Sequence, residues 1–320
     1  AIRKQVKLAE YITGDCHGDF QKVEVFCRRM QTTIEDCMII LGDAGINYCM
    51  DHRDTERKKY LAGLPITVFC VYGNHEERPS NISSYRKKKW KNGTVYFEPE
   101  YPNLIFAKDG EIYEFSGKKV LVIGGAGSPD KAYRMMTGLP WFEDEQPNES
   151  IKNYTEQQIA DSRWKVDYVL SHTCPLVYRP EKSLYTLSDQ KSIDLSTERW
   201  LETLAANLQY ERWYFGHYHD NRVYVDAEML YDAIKLIGLK ETLQKQGRPE
   251  YRKDEAVIFS TKINGMEVDG YGTIKQVHAY GTKMMDREVT YDIYGIKSGG
   301  AGAKELFENI AESQLMSAIL

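Results

Sequence analysis

Five short apolar runs in this chain stop in the same way, at a small residue followed by one with a side chain able to hold a cation. They are "LAEYITGD" before Asp15, "CMIILGD" before Asp43, "ITVFCVYGN" before Asn74, "VDYVLSH" before His172 and "RWYFGH" before His217. Apolar runs of this length bounded by turn residues read as buried strands. Helical spacing at 19–31 and 51–63 separates the first three, so the chain begins β-α-β-α-β. That order calls for right-handed crossovers and a largely parallel sheet. Two further helices are expected at 149–163 and 196–208, each feeding one of the later histidine-ended strands.

Residues 94–124 change character. "TVYFE", "LIFAKDG", "EIYEFSG" and "KKVLVIGGA" read as strands joined by turns and are expected to belong to a second sheet. The polar stretch "KETLQKQGRPEYRKDE" reads as a linker or surface excursion, which divides the chain into a domain over 1–238 and an extension over 239–320. In the extension, strand-like runs ("AVIFSTKI", "IKQVHAYG", "VTYDIYGI") precede the glycine-rich "KSGGAGAK" and a helix expected from about 303, an α+β pattern.

Composition excludes several classes. With 42% hydrophobic and 28% charged residues in 320, the chain has the balance of a globular protein. Its apolar runs are far short of a membrane span, and "AIRKQVKLAEY" carries charges where a signal peptide needs an apolar stretch. No membrane association and a cytoplasmic location are therefore expected. Six cysteines without a CxxC pair read as reduced thiols. The net charge of −5 disfavours nucleic acid as a partner, although "RKKKWK" at 86–91 is a local basic run. Such a run is usually a solvated face; the alternative is a lid over a polyanion, with Trp90 stacking on a base.

Ligands of open α/β sheets gather outside the carboxyl ends of the strands. Here those ends carry Asp15, His17, Asp43, Asn74, His75, His172, His217 and His219, and five of the seven histidines are among them. Residues i and i+2 of an extended segment face the same way, so Asp15 with His17, and His217 with His219, can each address one site. Cys16, between the first pair, should turn into the core. Carboxylates, imidazoles and an amide oxygen make a mixed oxygen and nitrogen set suited to manganese, iron or zinc rather than calcium. Seven of these eight groups already exceed one tetrahedral ion, and a carboxylate such as Asp43 can bridge two.

In this order, "GDCHGD", "GD" at 42–43, "GNHE" at 73–76, "SH" at 171–172 and "GHYH" at 216–219 closely resemble the calcineurin-like metallophosphoesterase superfamily over about residues 10–220. The resemblance implies an α/β fold of four layers, two mixed β-sheets flanked by helices. It further implies two divalent metal ions, manganese favoured, acting on a phosphoester substrate. Asp15, His17 and His219 would hold one ion and Asn74, His172 and His217 the other, with Asp43 between them. A hydroxide bridging the ions would attack phosphorus, and His75 would protonate the leaving oxygen or stabilise the transition state.

The second block departs from that of the superfamily's protein phosphatases. It reads "GDAGINY", with Ile46 and Asn47 where an acid and a phosphate-gripping arginine would stand, and "GHYH" replaces a lone final histidine. This resembles the phosphodiesterase and small-phosphatase branch. The candidates for holding phosphate instead are Arg78, Lys131 and Arg134, each of which follows a strand end. A nuclease or cyclic-nucleotide phosphodiesterase is the alternative activity, and a non-catalytic scaffold the alternative class. "GLPWFEDEQP", with Trp141, reads as a cap over the cleft or a packed loop, and "KSGGAGAK" as a hinge. Asp19 reads as an N-cap for the helix after it.

Overall fold

The first three glycine-ended runs form short parallel strands, β1 (Glu10–Thr13), β2 (Cys37–Ile40) and β3 (Thr67–Cys70). Their register sets Thr13 beside Ile40 and Ile40 beside Cys70, so the residues after each strand emerge at one level. This is a computed structural model, and it describes residues 9–180, 193–238, 253–263, 266–278, 290–298, 304–311 and 314–317. The crossovers are α1 (Gln21–Met30) and α2 (His52–Ala62). Helix α1 buries Val23 and Cys27, four residues apart on one face, and Asp19 Oδ1 accepts the Gln21 N–H at its start. In α2, Asp51 caps the first turn by accepting from the Arg53 N–H.

The sheet continues with β4 (Arg86–Trp90), β5 (Gly93–Phe97) and β6 (Leu104–Ala107), in the spatial order β3–β6–β5–β4. Strand β6 is parallel to β3 and buried along its whole length. Here the reading of 94–124 as one second sheet needs correction: its first two runs extend the first sheet, because "LIFA" is apolar on both faces and fits beside β3. The basic run is strand β4 itself, at the sheet's edge. Lysines on an edge strand discourage pairing with another chain.

The second sheet contains β7 (Ile112–Phe115), β8 (Lys118–Ile123), β9 (Tyr168–Ser171), β10 (Arg212–Phe215), β11 (Arg222–Val223) and β12 (Ala227–Met229). Strands β8, β9, β10 and β12 are parallel, with Ile123, Ser171 and Phe215 aligned. A short helix, α3 (Lys131–Thr137), and the longer α4 (Glu149–Asp161) lie between β8 and β9, and α5 (Ser196–Ala205) precedes β10. Strand β13 (Lys235–Leu236) then returns to the first sheet, antiparallel to β1.

One apolar layer is shared by the two sheets: Ile12, Ile39, Phe69 and Ile105 from the first pack with Tyr113, Val120, Leu170 and Tyr214 from the second. A second cluster seats α1 and α2 on the outer face of the first sheet, and a third seats α4 and α5 on the second. The expected four-layer α-β-β-α fold is thus formed. Each fully buried large side chain contributes about 1.5–3 kcal/mol from removal from water.

The chain divides into two compact units, Ala1–Leu239 and Lys240–Leu320. In the second, β14 (Ala256–Ile263), β15 (Met266–His278), β16 (Thr290–Lys297), β17 (Glu305–Ala311) and β18 (Leu315–Ser317) form an antiparallel sheet in the order β17–β16–β15–β14–β18. Its core is built on Val257, Phe259, Ile274, Ile293, Phe307 and Ile310. The helix expected from about 303 is strand β17 instead. Phe307 and Ile310 are three apart, which imitates helical spacing, but a register shift against β16 lets both face inward from a strand. Most of the expected linker and most of "KSGGAGAK" lie outside the described residues.

Candidate metal centre

Asp15, Asp43 and Asn74 follow the aligned ends of β1, β2 and β3, while His172 and His217 follow those of β9 and β10. Because the two sheets are stacked, all five arrive at one edge. The Gly216 N–H donates to the His172 carbonyl at 2.9 Å, and His172 Nδ1 meets the Leu41 carbonyl at 2.8 Å. The second contact fixes which ring nitrogen is left for the cleft. His172 Nε2 lies 2.8 Å from Asn74 Oδ1 and 3.5 Å from Asp43 Oδ2. Asn74 donates its amide N–H to Ser128 Oγ at 2.9 Å, which leaves its oxygen towards the cluster.

On the other side of the carboxylates, His17 Nε2 and His219 Nε2 approach each other to 2.9 Å. They lie 3.7 and 3.2 Å from Asp15 Oδ2. The ligand atoms of Asp15, His17 and His219, and those of Asp15, Asp43 and His172, are each within 4.8 Å of one another. Asp15 Oδ2 is buried without a well-formed hydrogen bond. An orphaned carboxylate oxygen facing two imidazole nitrogens is what a cation site requires, so this donor set fits a divalent metal. The His217 ring is buried 4.9 Å from that of His172.

The backbone here is bent hard. His17, Asp43, His217 and His219 all have left-handed φ, between 48° and 69°, which non-glycine residues adopt rarely and mostly at functional sites. Two glycines make the convergence possible. A Cβ on Gly42 would stand 2.1 Å from His172 Nδ1, and one on Gly73 would stand 2.0 Å from Asp43 Oδ1. The room left at Gly73 also lets the His75 N–H donate to Asp43 Oδ1 at 2.8 Å.

The electrostatics separate the groups. Burial opposes ionisation of Asp15, but the close approach of the His219 imidazole and the charge on His172 hold its carboxyl down at about 2. Asp43, likewise buried, is held well below the usual carboxylate range by His172 and His75. His172, despite its burial, is pushed up to about 9 by Asp43, whereas burial and the nearby His172 charge push His217 down to about 3. Burial also lowers His75, with Asp43 pulling the other way.

His75 stands beside the cluster, its ring 5.3 Å from that of His17. Its Nε2 is 3.8 Å from Asp130 Oδ1. Arg134 is close enough for its charge to disfavour a second charge on His75. This arginine is fully buried, donating to Ser128 Oγ at 2.9 Å and to the Pro140 carbonyl. Lys131 is exposed, with its ammonium 3.9 Å from the Trp141 ring centre, and the Trp141 indole donates to Glu145. Arg78 is spent elsewhere: it pairs with Asp109, donates to the Asp144 carbonyl and stacks 3.8 Å over Tyr72. Trp90 is packed against Phe69 and Phe115, so it is not the free ring that a base-stacking lid needs. Asn47 is buried and exchanges hydrogen bonds with the Tyr85 hydroxyl.

Sequence reasoning missed three contributors. Asp130 and Ser128 sit in a glycine-rich loop with no strand pattern to point at them. Glu76 was passed over as part of a block. It is fully buried, accepts from the Gly73 and Gly45 N–H groups, and burial and the Asp43 charge push its carboxyl up to about 8. It therefore locks the segment carrying Asn74 and His75 to the one carrying Asp43. Cys16, as expected, is buried in the core.

A sequence profile described as calcineurin-like phosphoesterase matches residues 11–221. No curated protein gives a significant sequence match. Among solved structures, TT1561 of Thermus thermophilus aligns at 10% identity over 72% of this chain and 98% of its own, with a TM-score of 0.39. The phosphopantetheinyl hydrolase PptH of Mycobacterium tuberculosis aligns at 10% identity over 74% of this chain and 98% of its own, with a TM-score of 0.36.

Proposed function

Because the chain belongs to the calcineurin-like phosphoesterase family, we propose that it hydrolyses a phosphomonoester or phosphodiester at a centre of two divalent metal ions, manganese first among the candidates. Asp15, His17 and His219 would hold one ion, Asn74, His172 and His217 the other, with Asp43 reaching both. When bound, the pair supplies positive charge for the phosphate and a water of lowered pKa as nucleophile.

The observation that carries this reading is the buried, orphaned Asp15 Oδ2 facing two imidazole nitrogens. Acid–base pairs need two carboxyls whose pKa values are pushed apart. Here both Asp15 and Asp43 are held low, which suits a cation rather than a shared proton. His75, neutral and beside the cluster, would donate a hydrogen bond to the phosphate or its leaving oxygen. Asp130 supports that role by orienting the ring, and Arg134 by keeping the pocket positive.

Metal analysis of the full-length protein, paired with turnover on a panel of monoesters and diesters, tests the reading. Two equivalents of metal and turnover of at least one class are expected. A stoichiometry of one, or a metal-saturated protein that turns over no phosphoester, would sink it.

A further inference from the structure

Asn74, His172 and His217 are all tied to the first turn of α5, a helix that carries none of them. Thr173 and Tyr218, the chain neighbours of His172 and His217, are both buried. The Thr173 hydroxyl donates to Glu198 Oε1 at 2.7 Å and lies 3.0 Å from the Tyr218 hydroxyl. With its one proton directed at the carboxylate, Thr173 accepts from Tyr218, and the Tyr218 oxygen accepts from the Cys174 thiol at 3.7 Å. Asn74 is reached by another route. It donates to Ser128 Oγ, Ser128 donates to Glu145, and the adjacent Gln146 accepts from the hydroxyls of Ser196 and Thr197 at 2.9 and 2.8 Å.

Glu198 is the unusual member of this turn. It is 1% exposed, and its Oε2 has no hydrogen-bond partner. A carboxylate buried with one oxygen unserved lowers stability, so packing does not account for it. Its other oxygen ends the run of hydrogen bonds that joins the loops after β9 and β10. Asp15 and His219 are anchored elsewhere: Lys22 of α1 donates to the Gly14 and Asp15 carbonyls at 3.3 and 2.8 Å, and the His219 ring stacks 4.7 Å from that of Tyr231.

We propose that Glu198 is a positioning residue for one half of the metal centre. Through Thr173 and Tyr218 it holds His172 and His217 in place for the ion they would share with Asn74, and so sets the affinity for that ion apart from the one held by Asp15, His17 and His219. The assignment rests on the two-ion reading above.

Calorimetric titration of manganese into chelated, full-length protein tests it, with the melt of the chelated protein as the control for folding. Two binding events are expected in the parent. Thr173→Val keeps the side-chain volume and removes the hydroxyl, so one event should weaken about ten-fold or more while the other stays within about three-fold. Thr173→Ser restores the hydroxyl and should restore both affinities, whereas a role in packing alone would make the loss of the methyl group as harmful as the loss of the hydroxyl. Glu198→Leu removes the acceptor at similar volume, and the orphaned oxygen with it; it should keep a cooperative melt and match Thr173→Val. A parent that takes up a single ion would defeat the two-ion reading and this assignment with it. Two parental events that weaken alike in Thr173→Val, that Glu198→Leu leaves at parental affinity, or that Thr173→Ser fails to restore would overturn this assignment alone.

Discussion

The backbone N–H of His217 donates to Asp15 Oδ1 at 2.9 Å, joining two residues 202 positions apart in the chain. That bond ties the end of β10, in one sheet, to the end of β1, in the other. One oxygen of Asp15 is thereby fixed, and the second is left for His17 and His219. The carboxylate is held by the fold before any ion arrives, which is how a site avoids spending binding energy on reorganisation.

Asp15→Asn removes the charge and half of the acceptor capacity at the orphaned oxygen. Metal content should fall and turnover should drop about 100-fold or more, while the hydrogen bond from His217 can persist. Elemental analysis beside steady-state kinetics reads both. Full metal occupancy with parental turnover would show that Asp15 is not a ligand.

His75→Ala should keep its metal and lose turnover by about 10²–10⁴-fold, the usual weight of a positioned proton donor. Asp130→Asn acts through His75 and should lower kcat by about ten-fold with metal content and KM unchanged. If Asp130→Asn altered KM alone, its contact with His75 would have no part in the chemistry.

In metal-free protein the same groups set a pH profile of stability. Asp15, at about 2 when folded, stabilises above its unfolded value near 4 and loses this as pH falls through 2; Asp43 acts in the same direction. His217, at about 3, is lost as pH falls from its unfolded value of about 6.5. His172, at about 9, contributes fully below about 6.5 and is lost as pH rises through 9. Glu76, at about 8, acts with His172, its contribution fading as pH rises above about 4.5. Between about 4.5 and 6.5 the opposing trends of His217 and Glu76 offset each other. The melting temperature of chelated protein should therefore hold a plateau there, falling towards pH 9 and towards pH 3. A melting temperature still rising at pH 9 would contradict these assignments.

Gly73→Ala puts a methyl group where Asp43 Oδ1 now lies. The strain should cost about 1–3 kcal/mol in urea unfolding. Turnover should suffer more than stability, because Asp43 and the His75 N–H that bonds it must both move. An alanine variant with parental kinetics would mean that the segment repacks freely.

Much of the site is legible in the chain because each donor ends an apolar run, and burial of short strands between two layers demands such runs. The second and third blocks need Gly42 and Gly73 because an imidazole or carboxylate from another strand end occupies the space of a Cβ. Less legible were Asp130 and Ser128, which reach the site from a loop whose sequence has no periodicity. Arg78 looked like a phosphate ligand for its place after "GNHEE", yet Asp109, thirty-one positions away, claims it. Such a pairing depends on where β6 ends in space. The strand at 305–311 misled for a related reason, since the bulge that brings Phe307 and Ile310 to one face exists only against β16.

By itself, the sequence determined the α/β layering, the strand ends and the donors at five of them, because hydrophobic period and turn chemistry act over a few residues. Only the tertiary structure decided that β5 and β6 join the first sheet, that Glu76 locks two segments together, and that Arg78 pairs with Asp109. Those outcomes depend on contacts between segments distant in sequence, which no local pattern encodes.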